Sequence, residues 1–440
     1  MRLRRIGFSV AILVLSTASN YIQGQGLAIS GIGAVNQGMG GVATAAPVDS
    51  AGALHWNPAT ISGLPSSEVS FGLGMVLPSE RLSSRIPAGA LGPNFPPVAL
   101  SGSDVGEPGA SPLPNVAYVE KSDTSAWTYG LGVASIGGFR ANYAASSTNP
   151  ILSAPPPVGF GVGRTFAEAE LLQIAPTVSY ALSDRFSIGF APTITMAKLT
   201  IDPLLLTAPN DANQDGFPSY PSGSGNRWLY GGGFQMGAYY IASHAWRFGA
   251  AIKSKQWFEK ARYQVNDELG RPGGTRTVGL EYPFIMTTGI AFNGFERSII
   301  AVDLRYFDYE NAKGFRDSGF NSSGALRGLG WRSIFAMSCG AQHQLTDRLA
   351  LRTGYSFNQN PITEAVAGFN FASPTITQHF IYLGSTAQIT QSSALSWAYT
   401  HAFKNDVTGA IQTPSGPLPN SSLTSQVSLD ALAVSVTVRF

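Results

Sequence analysis

The chain has 440 residues and a net charge of +2; only 12% of it is charged, against 44% hydrophobic and 11% aromatic residues, with 50 glycines. That balance argues against a nucleic-acid partner and a disordered chain, and the charge is sparser than is usual on the surface of a soluble protein of this size. The lone Cys339 allows no internal disulfide, and no Cys/His spacing suggests a zinc site or any other cofactor.

The opening MRLRRIGFSVAILVLSTASN carries three arginines, an apolar run from Ile6 to Leu15 and then small residues. This is the layout of a secretory signal peptide, taken here as residues 1–24, with cleavage between Ser19 and Gln25. Residues 25–67 follow without strand period, rich in Gly and Ala, and too apolar for a simple linker. We read them as a plug, or hatch, for what comes next. Within them HWNPATISGL contains the Asn-Pro-Ala tripeptide of water channels, which need about six apolar runs of roughly 20 residues; this chain has none. Asn57 as N-cap, Pro58 at the first helical position and Gly63 as a stop instead predict a turn or two of capped helix. Gly38-Met39-Gly40-Gly41-Val42-Ala43 fits a dinucleotide fingerprint, but no βαβ unit surrounds it.

From Glu68 to Phe440 apolar residues recur at every second position. Fourteen such segments centre near Phe71, Tyr118, Leu131, Val178, Ile188, Phe234, Ile252, Met286, Val302, Phe335, Leu351, Phe380, Trp397 and Val434. Connections after even-numbered segments are tight, as in KSDTSA, LSDR, SHAW, GFERS, LTDR and TQSS, whereas those after odd-numbered ones run from about a dozen to several dozen residues. The pattern predicts an all-β fold, a transmembrane antiparallel barrel of about 14 strands. A soluble sandwich is the alternative. With Phe440 closing the barrel at the periplasmic rim, the tight turns are periplasmic and the long loops extracellular. Trp127, Trp228, Tyr230, Trp246, Trp331 and Trp397 are candidates for interfacial aromatic girdles, or for ordinary core.

By strand parity Lys253, Lys255, Asp303, Arg305 and Arg352 face the lumen, while Ile252, Val302, Leu304 and Leu351 face lipid. The lumen charges form either a network anchoring the plug or a site for the carboxylate of an amphipathic substrate, with Lys253, Arg305 and Arg352 as its cations. The run Asp211, Asn213, Asp215 and Gly216 matches the first half of a calcium loop, but Ser222 stands where a bidentate acid is expected, and such clusters also form plain turns.

The stretch GAVNQGMGGVATAAPVDSAGALHWNPATISGL resembles the N-terminal hatch of the FadL family of outer-membrane transporters of long-chain fatty acids and hydrocarbons, with Asp49 eight residues before Asn57-Pro58-Ala59. PNVAYVEK, WTYGLGV, Ala175-Pro176-Thr177, LRTGYSFNQNPI and the terminal Phe440 extend the likeness over essentially the whole mature chain. The resemblance implies a fourteen-stranded outer-membrane barrel, plugged by its N-terminus, that takes up hydrophobic small molecules passively; the terminal Phe440 after an alternating strand looks like the signal read by the barrel assembly machinery, and a monomer among outer-membrane lipids is expected. It further implies a capture groove from the third and fourth extracellular loops, a pocket above the hatch, and a kink in the third strand that opens the wall sideways.

On this chain the loops are residues 140–164 and 201–226, both unusually Pro-rich, with Ile151, Leu152, Phe160, Leu204, Leu205, Leu206 and Phe217 as apolar capture residues or as loop packing. The kink falls at Gly137 and Gly138. The expected substrate is a long-chain fatty acid; an aromatic hydrocarbon is the alternative. Rival classes are an adhesive barrel and an outer-membrane enzyme, for which His343 and Ser333 lie far apart on one strand.

Overall fold

Alternation of large apolar and small residues produces long strands, and their register closes them into a cylinder. The computed structural model describes residues 25–92, 97–224 and 227–440, Ser224 by its backbone alone, so the expected signal peptide lies outside the described residues. The first seven strands are β1 (Glu68–Ile86), β2 (Ser111–Lys121), β3 (Trp127–Tyr143), β4 (Thr165–Ser183), β5 (Phe186–Asp202), β6 (Leu229–Ile241) and β7 (Trp246–Lys253). The second seven are β8 (Phe284–Phe292), β9 (Ser298–Asp308), β10 (Ile334–Thr346), β11 (Leu349–Asn358), β12 (His379–Gln388), β13 (Ser393–Gly409) and β14 (Ser422–Arg439). Each pairs antiparallel with its neighbours, and β1 pairs with β14 from Glu68↔Arg439 to Arg85↔Ser422, giving a closed 14-strand barrel. All fourteen expected segment centres fall inside these strands.

The outward face is greasy and the inward face small or polar. On β14 Leu432, Val434 and Val436 are exposed while Ala431, Ala433 and Ser435 are buried, the inverse of a water-soluble barrel. Five of the six girdle candidates stand exposed on the wall. Trp331 does not: it is buried, its ring tilted against Phe315 with centroids 4.7 Å apart and edge-on to Tyr309 at 5.1 Å, with its indole N–H on Asn370 Oδ1 at 2.6 Å. The long connection between β9 and β10 folds inward and carries it into the core.

Two strands are interrupted. A short piece, Leu100–Val105, pairs with the upper half of β1, so β2 reaches β1 in two parts. After Lys253 the chain leaves the ladder and resumes at Gln256–Phe258, pairing with β6 and with Glu281–Tyr282. Lys255 sits in that break, so it does not share the inward face of β7. Its ammonium hydrogen-bonds the Asn311 carbonyl and lies 3.9 Å from Glu281.

Residues 25–64 are almost entirely buried, and they bond to the inward faces of the strands. Two short helices, α1 (Gly33–Gly38) and α2 (Ser50–Trp56), precede a 3-10 segment, Pro58–Gly63. The Asp49 carboxylate caps α2 by accepting from Gly52 N. Asn57 caps the 3-10 segment by accepting from Ala59 N at 3.0 Å, with Pro58 in its first turn. The tripeptide is therefore a capping device: the Asn57 amide N–H groups go to the carbonyls of Thr44 and, across the lumen wall, Ala238.

Candidate functional site

Around the N-terminal segment, two of the inward charges, Asp303 and Arg305, hold backbone. Asp303 Oδ2 accepts from Ala43 N at 3.0 Å, Thr44 N at 3.1 Å, Thr44 Oγ1 at 2.8 Å and Arg305 Nη2 at 3.0 Å. Arg305 donates on to the carbonyls of Gly41 and Ser30, and its guanidinium lies 3.5 Å from the Trp56 ring centroid. Lys253 stands 3.3 Å from Gln173 Oε1 and 3.4 Å from His55 Nδ1. Arg352 donates to Gln342 at 2.7 Å and Thr386 at 2.6 Å. Lys253, Arg305 and Arg352 thus make separate sets of contacts, those of Arg352 to barrel side chains, and none of the three borders the cavity lined by Leu27 and Phe139.

The titratable groups of the N-terminal segment feel this burial. The Asp49 carboxyl is pushed up to about 7, first by its removal from water and then by Glu68, with Arg352 opposing. The His55 imidazole is held well below its usual range by burial, with Lys253 and Arg305 adding to the effect. Glu68 in turn accepts from Ser50 N at 2.7 Å and meets Arg439 at 3.3 Å.

β3 is irregular at the two glycines that the sequence analysis singles out. Its pairing with β2 stops at Asn115↔Ala134, and a register shift between Ser135 and Gly137 marks a bulge against β4. Gly138 takes φ +157°, and a Cβ there would lie 2.4 Å from the Ala169 carbonyl, so a glycine is required. The bulged backbone is paired by the N-terminal residues. Gly138 N donates to Leu27 O at 2.9 Å, Ile29 N donates to Ile136 O at 3.3 Å, and Ala28 bridges Gly137. Tyr282 Oη also donates to Ile136 O.

Directly above lies a cavity of about 260 Å³. Leu27 and Phe139 border it below, Ala167, Ala169, Leu199 and Ile201 form one wall, and Val278, Leu280, Phe315, Leu329 and Phe369 form the other. Leu205 and Leu206 come in from the β5–β6 loop. The polar lining includes Lys313, Arg316, Asp317 and Arg327, with Asp317 3.3 Å from Arg316 and 3.7 Å from Arg327.

Of the seven capture candidates the structure brings Leu205 and Leu206 to this cavity. Ile151 and Leu152 are buried elsewhere, against Leu82, Tyr143 and Leu423, because Asn149 ties the β3–β4 loop to β1 through the Leu82 carbonyl and Ser84. Phe160 is held over that loop by its own N–H on Ser153 Oγ, and Leu204 packs in the core behind the cavity. Phe217 sits far out on the β5–β6 loop, where the candidate calcium run is closed on itself. There Asp211 accepts from the amides of Asp215 and Gly216, Asn213 from Asp215, and Asp215 from Phe217. Among the described residues no cluster of three or more His, Cys, Asp or Glu could hold a metal ion.

The opposite wall, residues 278–280, 315, 329 and 369, was not legible beforehand; these positions lie in the connections between barrel strands, without barrel-strand period, and only their apolar character hinted at burial. For the enzyme alternative, Ser333 bonds Asp308 at one end of β10 while His343 bonds Ser298 near the other, ten residues or about 33 Å away. No helix among the described residues is long and apolar enough to cross a membrane.

No curated protein sequence matches the chain. Solved structures share its fold. The toluene transporter TodX of P. putida aligns over 93% of this chain and 99% of its own at 16% identity, TM-score 0.67. A FadL homologue from Pseudomonas aeruginosa covers 94% and 100% at 14% identity, TM-score 0.69. The Ralstonia pickettii toluene transporter TbuX covers 93% and 99% at 18% identity, TM-score 0.65. Residues 14–440 match the model of the family described as outer membrane protein transport protein (OMPP1/FadL/TodX), and the chain therefore belongs to that family of outer-membrane β-barrel transport proteins.

Proposed function

We propose that this chain admits hydrophobic small molecules passively across the outer membrane, by way of the apolar cavity over Leu27. The observation that carries the reading is the position of that one residue. Its side chain borders the cavity, and its carbonyl completes the hydrogen bonding of the kinked β3 wall. Residues 25–67 act as a hatch, with Asp49, Asn57, Pro58 and Ala59 shaping it and Asp303 and Arg305 anchoring it. A ligand that moves Leu27 uncovers the β2–β3 gap at Gly137 and Gly138 as a lateral exit. Transfer from water to the cavity is downhill without an energy source, since each buried methylene contributes about 0.8 kcal/mol.

Size favours a compact ligand. A cavity of about 150 Å³ takes up benzene, so 260 Å³ corresponds to about ten non-hydrogen atoms. That suits a substituted single ring or a short alkyl chain, in keeping with relatives named as toluene transporters. A second reading, a long-chain fatty acid with its carboxylate at the mouth, is favoured by the lysine and two arginines there against a single acid. Titrating the purified barrel with a monoaromatic hydrocarbon and with a long-chain acid, each followed by tryptophan fluorescence, tests the pair. Saturable binding of the hydrocarbon is expected, and binding of neither compound removes the cavity from the proposal.

A further inference from the structure

A concentrated set of contacts on the first described residues comes from one side chain that the sequence did not single out. Tyr309 follows β9 directly and is fully buried. Its hydroxyl accepts from Leu27 N at 2.8 Å and Ala28 N at 3.4 Å, and donates to Gln25 O at 2.7 Å. The backbone turns around that oxygen at Gly26, where a Cβ would lie 2.6 Å from it. On its other side the Tyr309 ring meets Phe315 edge-on, with centroids 5.5 Å apart, and Phe315 borders the cavity.

We infer that the Tyr309 hydroxyl is the clasp that holds residues 25–29 across the β3 gap, and that it sets how readily they yield to a cavity ligand. The inference rests on the passive-uptake reading of the cavity. A ligand touches both ends of this link: it meets Leu27, which the hydroxyl holds, and Phe315, which packs against the ring that carries the hydroxyl. Displacing either one lengthens the same three hydrogen bonds. Without the clasp, the amides of Leu27 and Ala28 lose a shared acceptor inside the barrel, and the pairing with Ile136 and Gly138 must hold the segment alone. Tyr309 is a positioning residue here; it acts on the wall through the segment it grips.

The test places a reporter cysteine at Ala28, buried in the closed state, in a Cys339→Ser background, and measures its rate of labelling by a water-soluble maleimide. Tyr309→Phe keeps the ring and removes the hydroxyl. Labelling is expected to accelerate roughly tenfold or more, while the barrel keeps its resistance to unfolding on unheated gels. Gly26→Ala, which forces the chain off the hydroxyl sterically, should accelerate labelling likewise. A saturating monoaromatic hydrocarbon should speed labelling of the parent and add little to Tyr309→Phe. Parental labelling rates in both variants overturn the clasp. Fast labelling in the variants with no hydrocarbon effect on any form instead defeats the passive-uptake reading and leaves the clasp standing.

Discussion

Replacing Asp303 with Ala should loosen the N-terminal segment more than any other single truncation in the lumen. One carboxylate oxygen takes four donors there, two of them backbone amides of the N-terminal segment and one the Arg305 guanidinium, which is itself 1% exposed. Removing one partner of a buried ion pair costs about 3–5 kcal/mol, because the other charge remains out of water. Each stranded amide adds about 1–3 kcal/mol, though such losses are not additive within one network. A net loss of about 4 kcal/mol raises the population of undocked segment roughly a thousandfold. Hydrogen exchange at Ala43 and Thr44, read by mass spectrometry, should accelerate by that order, and planar-bilayer conductance should rise. The pair Asp303→Leu with Arg305→Met removes both charges together, so it should recover a substantial part of the loss. Unchanged exchange in the single variant, or a double variant leakier than the single one, would refute the assignment of these groups as the anchor.

Three further outcomes follow from named contacts. Asp49 has its folded pKa raised to about 7 from an ordinary 3.8, so it binds its proton more tightly when docked. Its stabilising contribution is therefore full in acid and is lost as pH rises between about 4 and 7. Asp49→Asn keeps an acceptor for Gly52 N and should remove that slope from the pH dependence of plug exchange; a slope identical to the parent's contradicts the shift. Gly138→Leu should slow uptake of a hydrophobic probe with gel heat-stability intact, since its Cβ would meet the Ala169 carbonyl at 2.4 Å; normal uptake would remove the lateral exit. Ala169→Phe, which fills the cavity wall, should weaken hydrocarbon binding at least tenfold without altering conductance, and unaltered binding would locate the ligand elsewhere.

The barrel was legible because lipid leaves a strand two kinds of neighbour, and the alternation at Leu432, Ala433, Val434 and Ser435 records which is which. The inward positions of Lys253, Asp303, Arg305 and Arg352 followed from the same parity. Parity failed at Lys255, because the ladder breaks after Lys253 and a side-chain count cannot see a break. It also said nothing about Trp331, which is carried inward by a loop rather than a strand. Capping chemistry made Asn57 readable, since it acts within three residues of itself, whereas Asp49, which also caps locally, was singled out through the family resemblance. The cavity was the least legible part. Leu205 and Leu206 were within reach as apolar residues in a long loop, but Ile151 and Leu152 look the same in sequence and are sent to a different core by one asparagine, Asn149. Tyr309 was invisible for a similar reason: its partners lie about 280 positions away in the chain.

On the function proposed above, hydrophobic compounds cross this barrel through the cavity over Leu27 without an energy source. The most direct measurement is the initial uptake rate of a radiolabelled monoaromatic hydrocarbon by cells whose outer membrane carries this chain as their only protein of the family. The rate is compared with that of cells carrying Leu205→Asp with Leu206→Asp, before and after an uncoupler. Uptake above the background of cells without the chain, insensitive to the uncoupler and lost in the aspartate variant, is the predicted result. Uptake equal to background, or equal in the parent and the variant at matched barrel levels, would contradict it.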